Sequence, residues 1–308
     1  MRGNEDKILM AEAAVLYYEE GRTQQQIAQM MGLSRQTVSK LLGDAVKENI
    51  VEIKIHNPQK DLAQLEAQLQ ERFGIQRCIV CGVSSKNEAV RQLMTVKAAV
   101  DYLLPLIRQG GLKIGVSWGR TVQALIEQFP DCDPTDNTVF PLFGATDNEH
   151  AYFSSNELAR SLADRLGASV RYAWFPYLAD SKEDFSLLKR LSYYKKMEQL
   201  WHTADVAILG IGNREVLDIF SETFGVGECH RQVTGDLATH FFDETGTFIP
   251  LYHNALCASI EDLRRCKQAV AIACGNHKAN AIACALRTGL LNTLITDEYT
   301  AKAVLEYA

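Results

Sequence analysis

The stretch GVSWGRT, from Gly115 to Thr121, combines glycines, hydroxyls and a cation in a pattern typical of an anion-binding loop. It follows a strand-like run at 112–114 and leads into an amphipathic helical pattern at 122–126. Backbone N–H groups at the start of a helix point toward an anion, and the helix dipole favours negative charge there. The stretch therefore predicts a site for a group such as a phosphate.

The side chains of this loop have separate candidate roles. Gly119 lets an anion approach the backbone, Ser117 and Thr121 can donate hydroxyl hydrogens, and Arg120 brings a positive charge. Arg120 is alternatively an ordinary surface arginine at a helix start. The loop lacks the G-x-x-x-x-G-K-[ST] spacing of nucleotide-binding P-loops, which excludes that class of anion site.

Four other segments combine glycine with polar residues. They are LFGATDN (142–148), GIGN (210–213), TGDLATHFFDETG (234–246) and CGNHK (274–278). Lys278 stands at a helix start, where a cation is disfavoured unless an anion lies nearby; otherwise it is a solvated lysine. Asp236 follows a glycine and either accepts hydrogen bonds from sugar hydroxyls or caps a turn.

From residue 76 onward, strand-like and helix-like runs alternate. This alternation predicts an α/β domain with a mainly parallel sheet, and ligands of such domains bind beyond the carboxyl ends of the strands. The predicted strands are 77–82, 113–118, 138–143, 169–174, 205–210, 268–273 and 292–296. The predicted helices are 86–109, 120–128, 155–167, 184–202, 276–287 and 297–307.

A helical pattern over 7–21 begins the part of the chain before this domain, and it ends at Gly21. Acidic residues occupy one side of the helix. The apolar residues of the opposite side are Ile8, Ala11, Ala14, Val15 and Tyr18.

The segment TQQQIAQMMGLSRQTVSKLL has the spacing of a helix-turn-helix. Ala28 is small where two helices would cross, Gly32 permits a left-handed turn, and Val38 and Leu41 would anchor the second helix. Polar residues suited to base edges and phosphates surround the start of that helix. The predicted DNA contacts are Thr23, Ser34, Arg35, Gln36, Thr37, Ser39 and Lys40. A helical hairpin with a solvated polar face is the alternative.

Residues 1–58 carry seven basic and eight acidic side chains, a net charge of −1. Such weak attraction for DNA predicts that two or four copies act together through effective concentration. The alternating run at 50–55 predicts a strand that forms a wing beside the second helix.

A linker helix is predicted over 59–75, where Leu62, Leu65, Leu69 and Phe73 recur at 3-4-4 spacing. This stripe either packs on its own domain or forms a short dimer seam. The expected organisation is a DNA-binding domain at 1–58, this linker helix, and an effector and oligomerisation domain at 76–308.

The composition of the 308-residue chain, 47% hydrophobic and 23% charged, is typical of a soluble globular protein. No apolar run reaches the roughly 18 residues of a membrane span, and the N-terminus lacks a signal-peptide pattern, so a cytoplasmic protein is expected. Among eight cysteines only Cys78 and Cys81 have a metal-like spacing. Residues three apart in a strand point to opposite faces, so no metal site is predicted.

These motifs together resemble the SorC family of bacterial sugar-responsive transcriptional regulators over nearly the whole chain, and the deoxyribonucleoside regulator subgroup in particular. The matching stretches are LYYEEGRTQQQIAQMMGLSRQTVSKLL, GVSWGRT, GDLATHFFDETG, GNHKANAIACALRTG and LITDEYTA. The resemblance implies a winged helix-turn-helix joined to a doubly wound α/β effector domain related to phosphosugar isomerases. It also implies a phosphorylated sugar as inducer and dimers or tetramers on operator DNA.

The resemblance assigns the effector contacts residue by residue. Ser117, Gly119, Arg120 and Thr121 would hold the phosphate with help from Lys278. Asp236 would bind sugar hydroxyls, and Trp118 would border the pocket.

Two residues depart from the pattern of that subgroup. Its Leu-Lys-Gly-Gly stretch supplies a lysine that forms a Schiff base with the sugar, but here the stretch reads Leu142-Phe143-Gly144-Ala145. Phe143 therefore predicts non-covalent binding and argues against deoxyribose phosphate. Arg120 replaces a small hydroxyl residue, which favours a bisphosphate or a more acidic effector.

An isomerase with an appended DNA-binding head is the alternative function. Such chemistry needs a general base near the sugar, but GIGN is followed by Arg214-Glu215-Val216-Leu217, without an Asp-Gly-His arrangement. A DNA-binding architectural protein would leave the glycine loops unexplained. The sequence therefore predicts a transcriptional regulator of a sugar catabolic operon, with no catalytic residues, cofactor, metal or membrane partner.

Overall fold

A computed structural model describes residues 2–53, 62–146, 154–224 and 232–308 of the chain. The chain divides into two compact units, Met1–Pro58 and Gln59–Ala308, and each is described by itself.

The first unit is helical. Its helices begin at good capping residues: Thr23 and Gln26 form a complete capping box, and the Ser34 hydroxyl accepts a hydrogen bond from the Thr37 N–H. Gly32 ends the second helix in the left-handed conformation, at φ 65°. The elements are α1 (Arg2–Ala14), a π-helical turn (Val15–Glu19), α2 (Gln24–Met31) and α3 (Arg35–Lys47).

The core of this unit lies between its three helices. Ala28 is buried where α2 and α3 pack together, and Val38 is buried below it, as the helix-turn-helix spacing predicts. Leu42 is buried, whereas Leu41 is only partly so. The buried side chains are Ala13, Ala14, Ile27, Ala28, Val38 and Leu42.

The predicted apolar face of the first helix is wrong at Ile8 and, where the π turn follows, at Val15 and Tyr18. Ile8, Val15 and Tyr18 are exposed at 54%, 44% and 45%, whereas Ala13 is fully buried. A regular α-helical period cannot anticipate the π turn that interrupts the helix. Because a π turn adds one residue to a helical turn, it rotates the following side chains out of the predicted register.

The predicted wing strand at 50–55 is not formed over its described residues. Asn49 adopts a left-handed conformation at φ 55°, and Val51 donates its N–H to the Ala45 carbonyl at 3.1 Å. These bonds bind the chain to the end of α3, and residues 50–53 contain no strand. Residues 54 and 55 lie outside the described ranges.

The second unit contains a sheet with seven parallel strands in the order β1-β10-β9-β5-β2-β3-β4. An antiparallel meander, β6 to β8, continues from the end of β5. The strands are β1 (Arg77–Cys81), β2 (Lys113–Val116), β3 (Thr138–Pro141), β4 (Ser169–Val170), β5 (Val206–Asn213), β6 (Gly235–Leu237), β7 (His240–Phe242), β8 (Phe248–Ile249), β9 (Gln268–Ile272) and β10 (Thr293–Asp297).

Amphipathic helices connect these strands and cover the sheet. Their apolar sides and the central strands form one buried core. They are α4 (Leu62–Phe73), α5 (Glu88–Ile107), α6 (Arg120–Gln128), α7 (Ser155–Leu166), α8 (Lys182–Arg190), α9 (Ser192–His202), α10 (Arg214–Phe224), α11 (Ile260–Arg265), α12 (Ala279–Arg287) and α13 (Glu298–Leu305). Among the described residues, no helix is both long enough and apolar enough to cross a bilayer.

The α/β class is confirmed, with differences at particular elements. The predicted strand 169–174 is formed only at 169–170. The predicted helix 184–202 is two helices, because Leu191 is extended at ψ 143°. Helices α10 and α11 are absent from the sequence prediction; α11 spans only six residues, too few to display a helical period.

The apolar stripe of α4 packs on its own unit. Leu65 and Leu69 are buried in the core of the sheet domain, and the Glu66 carboxylate accepts the N–H of Val80 at 2.8 Å. Of the two predicted roles for this stripe, the structure therefore supports packing within the domain.

We expect Leu69→Ala to lower the free energy of unfolding of the sheet domain by about 2–5 kcal/mol, because it leaves a cavity in a packed core. Leu187→Ala, at a leucine that is 59% exposed, is the matched control and should change it by less than about 0.5 kcal/mol. Denaturant titration at two protein concentrations measures both. A loss that depends on protein concentration would contradict packing within the domain and restore the dimer seam.

Candidate functional site

A cavity lies where the carboxyl ends of β2 and β5 meet the β6 strand. Parallel strands bring the loops after them to one edge, which explains why segments distant in sequence converge here. Its lining comprises Trp118, Gly119, Arg120, Thr121, Gly210, Ile211, Gly212, Asn213, Val216, Asp236 and Lys278.

The N-terminus of α6 forms one side of this cavity. Gly119 caps the helix at φ 114° and ψ 159°, a conformation that favours glycine. A Cβ atom at Gly119 would meet no atom within 4 Å, so the space beside its backbone is open to a ligand. Thr121, 7% exposed, borders the same space. A helix start with adjacent open space suits an anion.

Two cations face this space. Lys278 donates from Nζ to the Ile211 carbonyl at 3.3 Å, and Arg120 is exposed at the mouth. Burial lowers the pKa of Lys278, and Arg120 lowers it further by repulsion, although Cys274, Asp236 and Glu215 act in the opposite direction. An anion placed between the two cations would relieve that repulsion.

Asp236 closes the cavity from the β6 side. It is 3% exposed and pairs across the sheet with Gly212. A Cβ atom at Gly212 would lie 1.9 Å from Asp236 Oδ1, so the carboxyl group fits only opposite glycine. Asp236 Oδ2 accepts the N–H of Thr239 at 3.2 Å. Gly212, in the GIGN motif at the strand end, is therefore required for the close packing of Asp236 against β5.

The charge state of Asp236 is set by its burial. Burial raises the pKa of this carboxyl to about 7, although bonds from the Thr239 N–H and the Trp118 side chain and the charge of Lys278 lower it. A carboxyl group with this pKa can accept hydrogen bonds from sugar hydroxyls when ionised and donate one when protonated.

Ser117 lies beneath the cavity, outside its lining. It is fully buried, and its Oγ accepts the N–H of Gly210 at 3.1 Å. This bond ties the end of β2 to β5. The structure therefore brings together six of the seven predicted effector contacts and places Ser117 where it supports the loop instead.

The turn that carries Lys278 is held by a buried arginine. Arg91, 6% exposed, donates from Nη1 to Asn276 Oδ1 at 2.8 Å and pairs with Asp297 at 3.4 Å. Its guanidinium lies over the Tyr299 ring, 5.3 Å from the centroid. Sequence reasoning missed Arg91, since nothing near it in the sequence indicates burial.

Asp297 holds the same turn from its other flank. It caps the last helix: its carboxylate accepts the N–H groups of Tyr299 and Thr300. It also accepts the Thr300 hydroxyl, whose oxygen in turn accepts the Gly275 N–H at 2.8 Å. A helix cap thereby becomes part of the support for Lys278.

Phe143 stands behind the cavity wall. It is 1% exposed and makes edge-to-face contacts with Trp118 and Tyr177, at centroid distances of 6.5 and 5.8 Å. Phe143 therefore presents a ring edge and has no amine that could react with a sugar.

Asn213 and Val216 also line the cavity and were not predicted as contacts. GIGN provided a weak signal for Asn213, whereas Val216 has none, because α10 was not anticipated. Among the described lining residues Asp236 is the one carboxylic acid, and histidine is absent. The cavity therefore offers positive charge and hydrogen-bonding groups.

The first unit presents a second candidate surface. Along the start of α3, Val38 is buried while the polar residues around it are exposed. The Ser34 and Thr37 hydroxyls share a hydrogen bond of 2.8 Å, which occupies part of their bonding capacity. Thr23 is exposed at the start of α2 and is engaged with Gln26. The exposed predicted contacts are Thr23, Ser34, Arg35, Gln36, Thr37, Ser39 and Lys40.

Models of known protein families match both units of the chain. The model of a sugar-binding domain family, Sugar-bind, matches residues 57–306, and the model of sigma-70 region 4 matches residues 12–48. The sorbitol operon regulator of Klebsiella pneumoniae is 30% identical over 99% of this chain and 100% of its own. The deoxyribonucleoside regulator of Bacillus subtilis is 26% identical over 98% of both.

The fold has a solved counterpart over the same extent. The crystal structure of the full-length sorbitol operon regulator SorC from Klebsiella pneumoniae matches with a TM-score of 0.77 at 28% identity. The match covers 96% of this chain and 98% of that one.

The stability of the protein without ligand should report the ionisation of Asp236. Because its folded pKa lies above the unfolded value, its contribution is fully present below the unfolded pKa and is lost as the pH rises through about 7. Asp236→Asn should therefore gain stability over wild type from about pH 4 to about pH 8, by several kcal/mol, since one pKa unit corresponds to about 1.4 kcal/mol.

Asp243→Asn is the control with the opposite sign. Hydrogen bonds from the Thr245 hydroxyl and nearby N–H groups lower the pKa of Asp243, so its contribution is present at neutral pH and is lost in acid. Thermal unfolding of the three proteins across pH measures both effects. A constant difference between Asp236→Asn and wild type across the range would contradict the buried, titrating carboxyl.

Proposed function

The chain belongs to the SorC family of sugar-responsive transcriptional regulators, and from that premise we propose that a phosphorylated sugar binds its C-terminal domain non-covalently and controls DNA binding by its N-terminal domain. Two of its relatives are named the sorbitol operon regulator and the deoxyribonucleoside regulator, and the chain is a regulator rather than an enzyme. The convergence of Arg120, Lys278 and the α6 N-terminus on one cavity carries the proposal.

The phosphate is held at the start of α6. Gly119 leaves the backbone open, Thr121 supplies a hydroxyl, and Arg120 and Lys278 supply charge. A phosphate in this position would satisfy N–H groups that have no partner within the helix. Ser117 acts beneath the loop by holding β2 to β5.

The sugar lies toward Asp236 and Trp118. Asp236 is the acceptor for hydroxyl groups, and its position opposite Gly212 fixes where those hydroxyls must be. Phe143 stands in place of the lysine that would form a Schiff base, so the sugar is held without a covalent bond. The charge of Arg120 favours a bisphosphate or another strongly acidic sugar.

The N-terminal domain reads the operator through α3. Arg35, Gln36 and Lys40 are exposed at the helix surface and have the chemistry for base edges and phosphates. Residues 1–58 have a net charge of −1, which favours two or four copies bound to DNA at once. A cytoplasmic location follows from the need to reach the operator.

Effector binding should depend on the two cations. Lys278→Ala is expected to weaken the binding of sugar phosphates roughly 10- to 100-fold, because a hydrogen bond to a charged group contributes about 1.5–3 kcal/mol. Arg120→Ala should have a smaller effect, since solvent screens an exposed charge. Isothermal titration with a panel of sugar mono- and bisphosphates measures both, with Arg171→Ala, an exposed arginine at the far edge of the sheet, as control.

Two outcomes would contradict this site. Unphosphorylated sugars or nucleotides that raise the melting temperature, when no sugar phosphate does so, would show the wrong ligand class. A mass increase after borohydride reduction of the complex would show covalent capture.

DNA binding should depend on the exposed start of α3. The double variant Arg35→Ala, Gln36→Ala is expected to lose specific binding and keep its melting temperature, because both side chains are exposed. Footprinting on genomic fragments enriched by the wild-type protein measures this. Lys47→Ala, at the other end of α3 and 79% exposed, is the matched control. An unchanged footprint of the double variant would contradict the assignment of α3.

A further inference from the structure

A second cavity of about 550 Å³ lies in the C-terminal domain. It is bounded by α8 and α9 on one side and by residues 239–262 on the other. This volume is within the range of about 300–1,000 Å³ that small-molecule sites occupy. No residue of the first cavity lines it.

The walls of this second cavity are aromatic. Tyr177 and Trp201 are fully buried, and Tyr194, Phe241 and Tyr252 complete the surface. Ring faces of this kind pack against the C–H faces of a sugar ring or an extended polyol, and the tyrosines add hydroxyl groups at the edges.

Charged groups at the second cavity are paired with one another. Lys189 lies 4.0 Å from Glu198, and the Asp262 carboxylate lies 2.5 Å from His202 and 3.6 Å from Arg265. The first cavity, by contrast, presents two cations beside one buried carboxyl group. Internal pairing at the second cavity favours an uncharged ligand.

One hydroxyl at this cavity lacks a hydrogen bond of good geometry. Thr239 is 4% exposed, and its Oγ1 is among the buried side-chain atoms without such a bond in the described part of the chain. Its contacts with the Tyr177 and Cys257 side chains are weak hydrogen-bonding contacts, which act to lower the pKa of both groups. Burying a poorly bonded hydroxyl costs free energy, so a ligand that bonds to it gains by doing so.

The turn that carries this hydroxyl is strained. Ala238 and Thr239 have φ angles of 48° and 73°, and a β-branched residue at positive φ is a genuine outlier. Strain of this kind persists where the surrounding structure imposes it, and it concentrates at functional sites.

We propose that this second cavity binds an uncharged sugar or polyol, with the Thr239 hydroxyl as a hydrogen-bonding contact and the aromatic walls as the stacking surface. The proposal deepens the function given above, since it adds a second ligand of a different charge class to the same effector domain.

The strained turn links the two cavities. Its Thr239 N–H donates to Asp236 Oδ2, so one residue contacts the carboxyl of the first cavity through its backbone and the second cavity through its side chain. Trp118, Phe143, Tyr177 and Tyr252 form a continuous series of ring contacts along a parallel route. Occupancy of one cavity therefore changes the affinity of the other, and the change is reciprocal.

Thr239→Val tests the site directly, because it removes the hydroxyl and keeps the side-chain shape. We expect an unchanged or higher melting temperature and about tenfold weaker binding of the uncharged ligand, found by titrating the full chain with tetroses, pentoses, hexoses and their alditols. Thr296→Val is the matched control: its hydroxyl is also buried without a hydrogen bond of good geometry, but it lines neither cavity. It should leave sugar binding unchanged.

A second variant distinguishes the loss of a ligand contact from a folding defect at the strained turn. Tyr252→Leu removes a ring from the half-buried rim and should also weaken the uncharged ligand about tenfold while the protein remains folded. Equal binding of the uncharged ligand by wild type, Thr239→Val and Tyr252→Leu overturns the proposal.

Titration in the presence of a bound sugar phosphate separates the two cavities. If the uncharged ligand has its own cavity, its apparent affinity shifts to a plateau as the phosphate concentration rises. A shift that grows without limit shows competition for the first cavity and overturns the proposal, as does failure of every uncharged sugar to bind. Neither result affects the phosphosugar site, which fails only if sugar phosphates themselves do not bind.

Discussion

The close approach of β6 to β5 at Gly212 is the contact on which the proposed effector site depends. It places a carboxyl group in a nearly water-free position, where a side chain at residue 212 would collide with it. The same approach sets the distance between Asp236, the start of α6 and Lys278. Burial raises the free energy of the ionised Asp236 carboxylate. A ligand that donates hydrogen bonds to this group lowers that free energy.

The supports of this site lie outside its lining. Arg91 on α5 and Asp297 at the end of β10 both hold the turn before Lys278, and Ser117 joins β2 to β5. These groups contact the loops and do not line the cavity. They are well placed to restrict the motion of Lys278 and Gly119, which lowers the ordering cost of binding a small ligand.

The two cavities of the effector domain differ in charge and share one turn. The first concentrates positive charge on the start of a helix, whereas the second pairs its charges and offers ring faces. Thr239 borders one cavity and bonds to the carboxyl of the other. Under the proposal of two ligands, the shared strained turn provides a physical link between a phosphorylated compound in one cavity and an uncharged one in the other.

The sequence by itself determined the class of fold and the helix-turn-helix, and it predicted the anion-binding loop, because these depend on local rules. Thr23, Gly32 and Ser34 act on residues within four positions of themselves, and hydrophobic period distinguishes helix from strand. The sequence alone also showed that Phe143 stands where the deoxyribonucleoside regulator subgroup has a lysine. Such features need no knowledge of which segments meet.

Only the tertiary structure decided which polar groups share a space. The pairing of Gly212 with Asp236 and the position of Arg91 join residues far apart in the chain, and no local pattern specifies them. The π turn after α1 and the left-handed Asn49 overturned the predicted face and wing, because packing overrode the local period. The burial of Ser117 and the poorly bonded hydroxyl of Thr239 are consequences of packing as well, since exposure is a property of the folded chain.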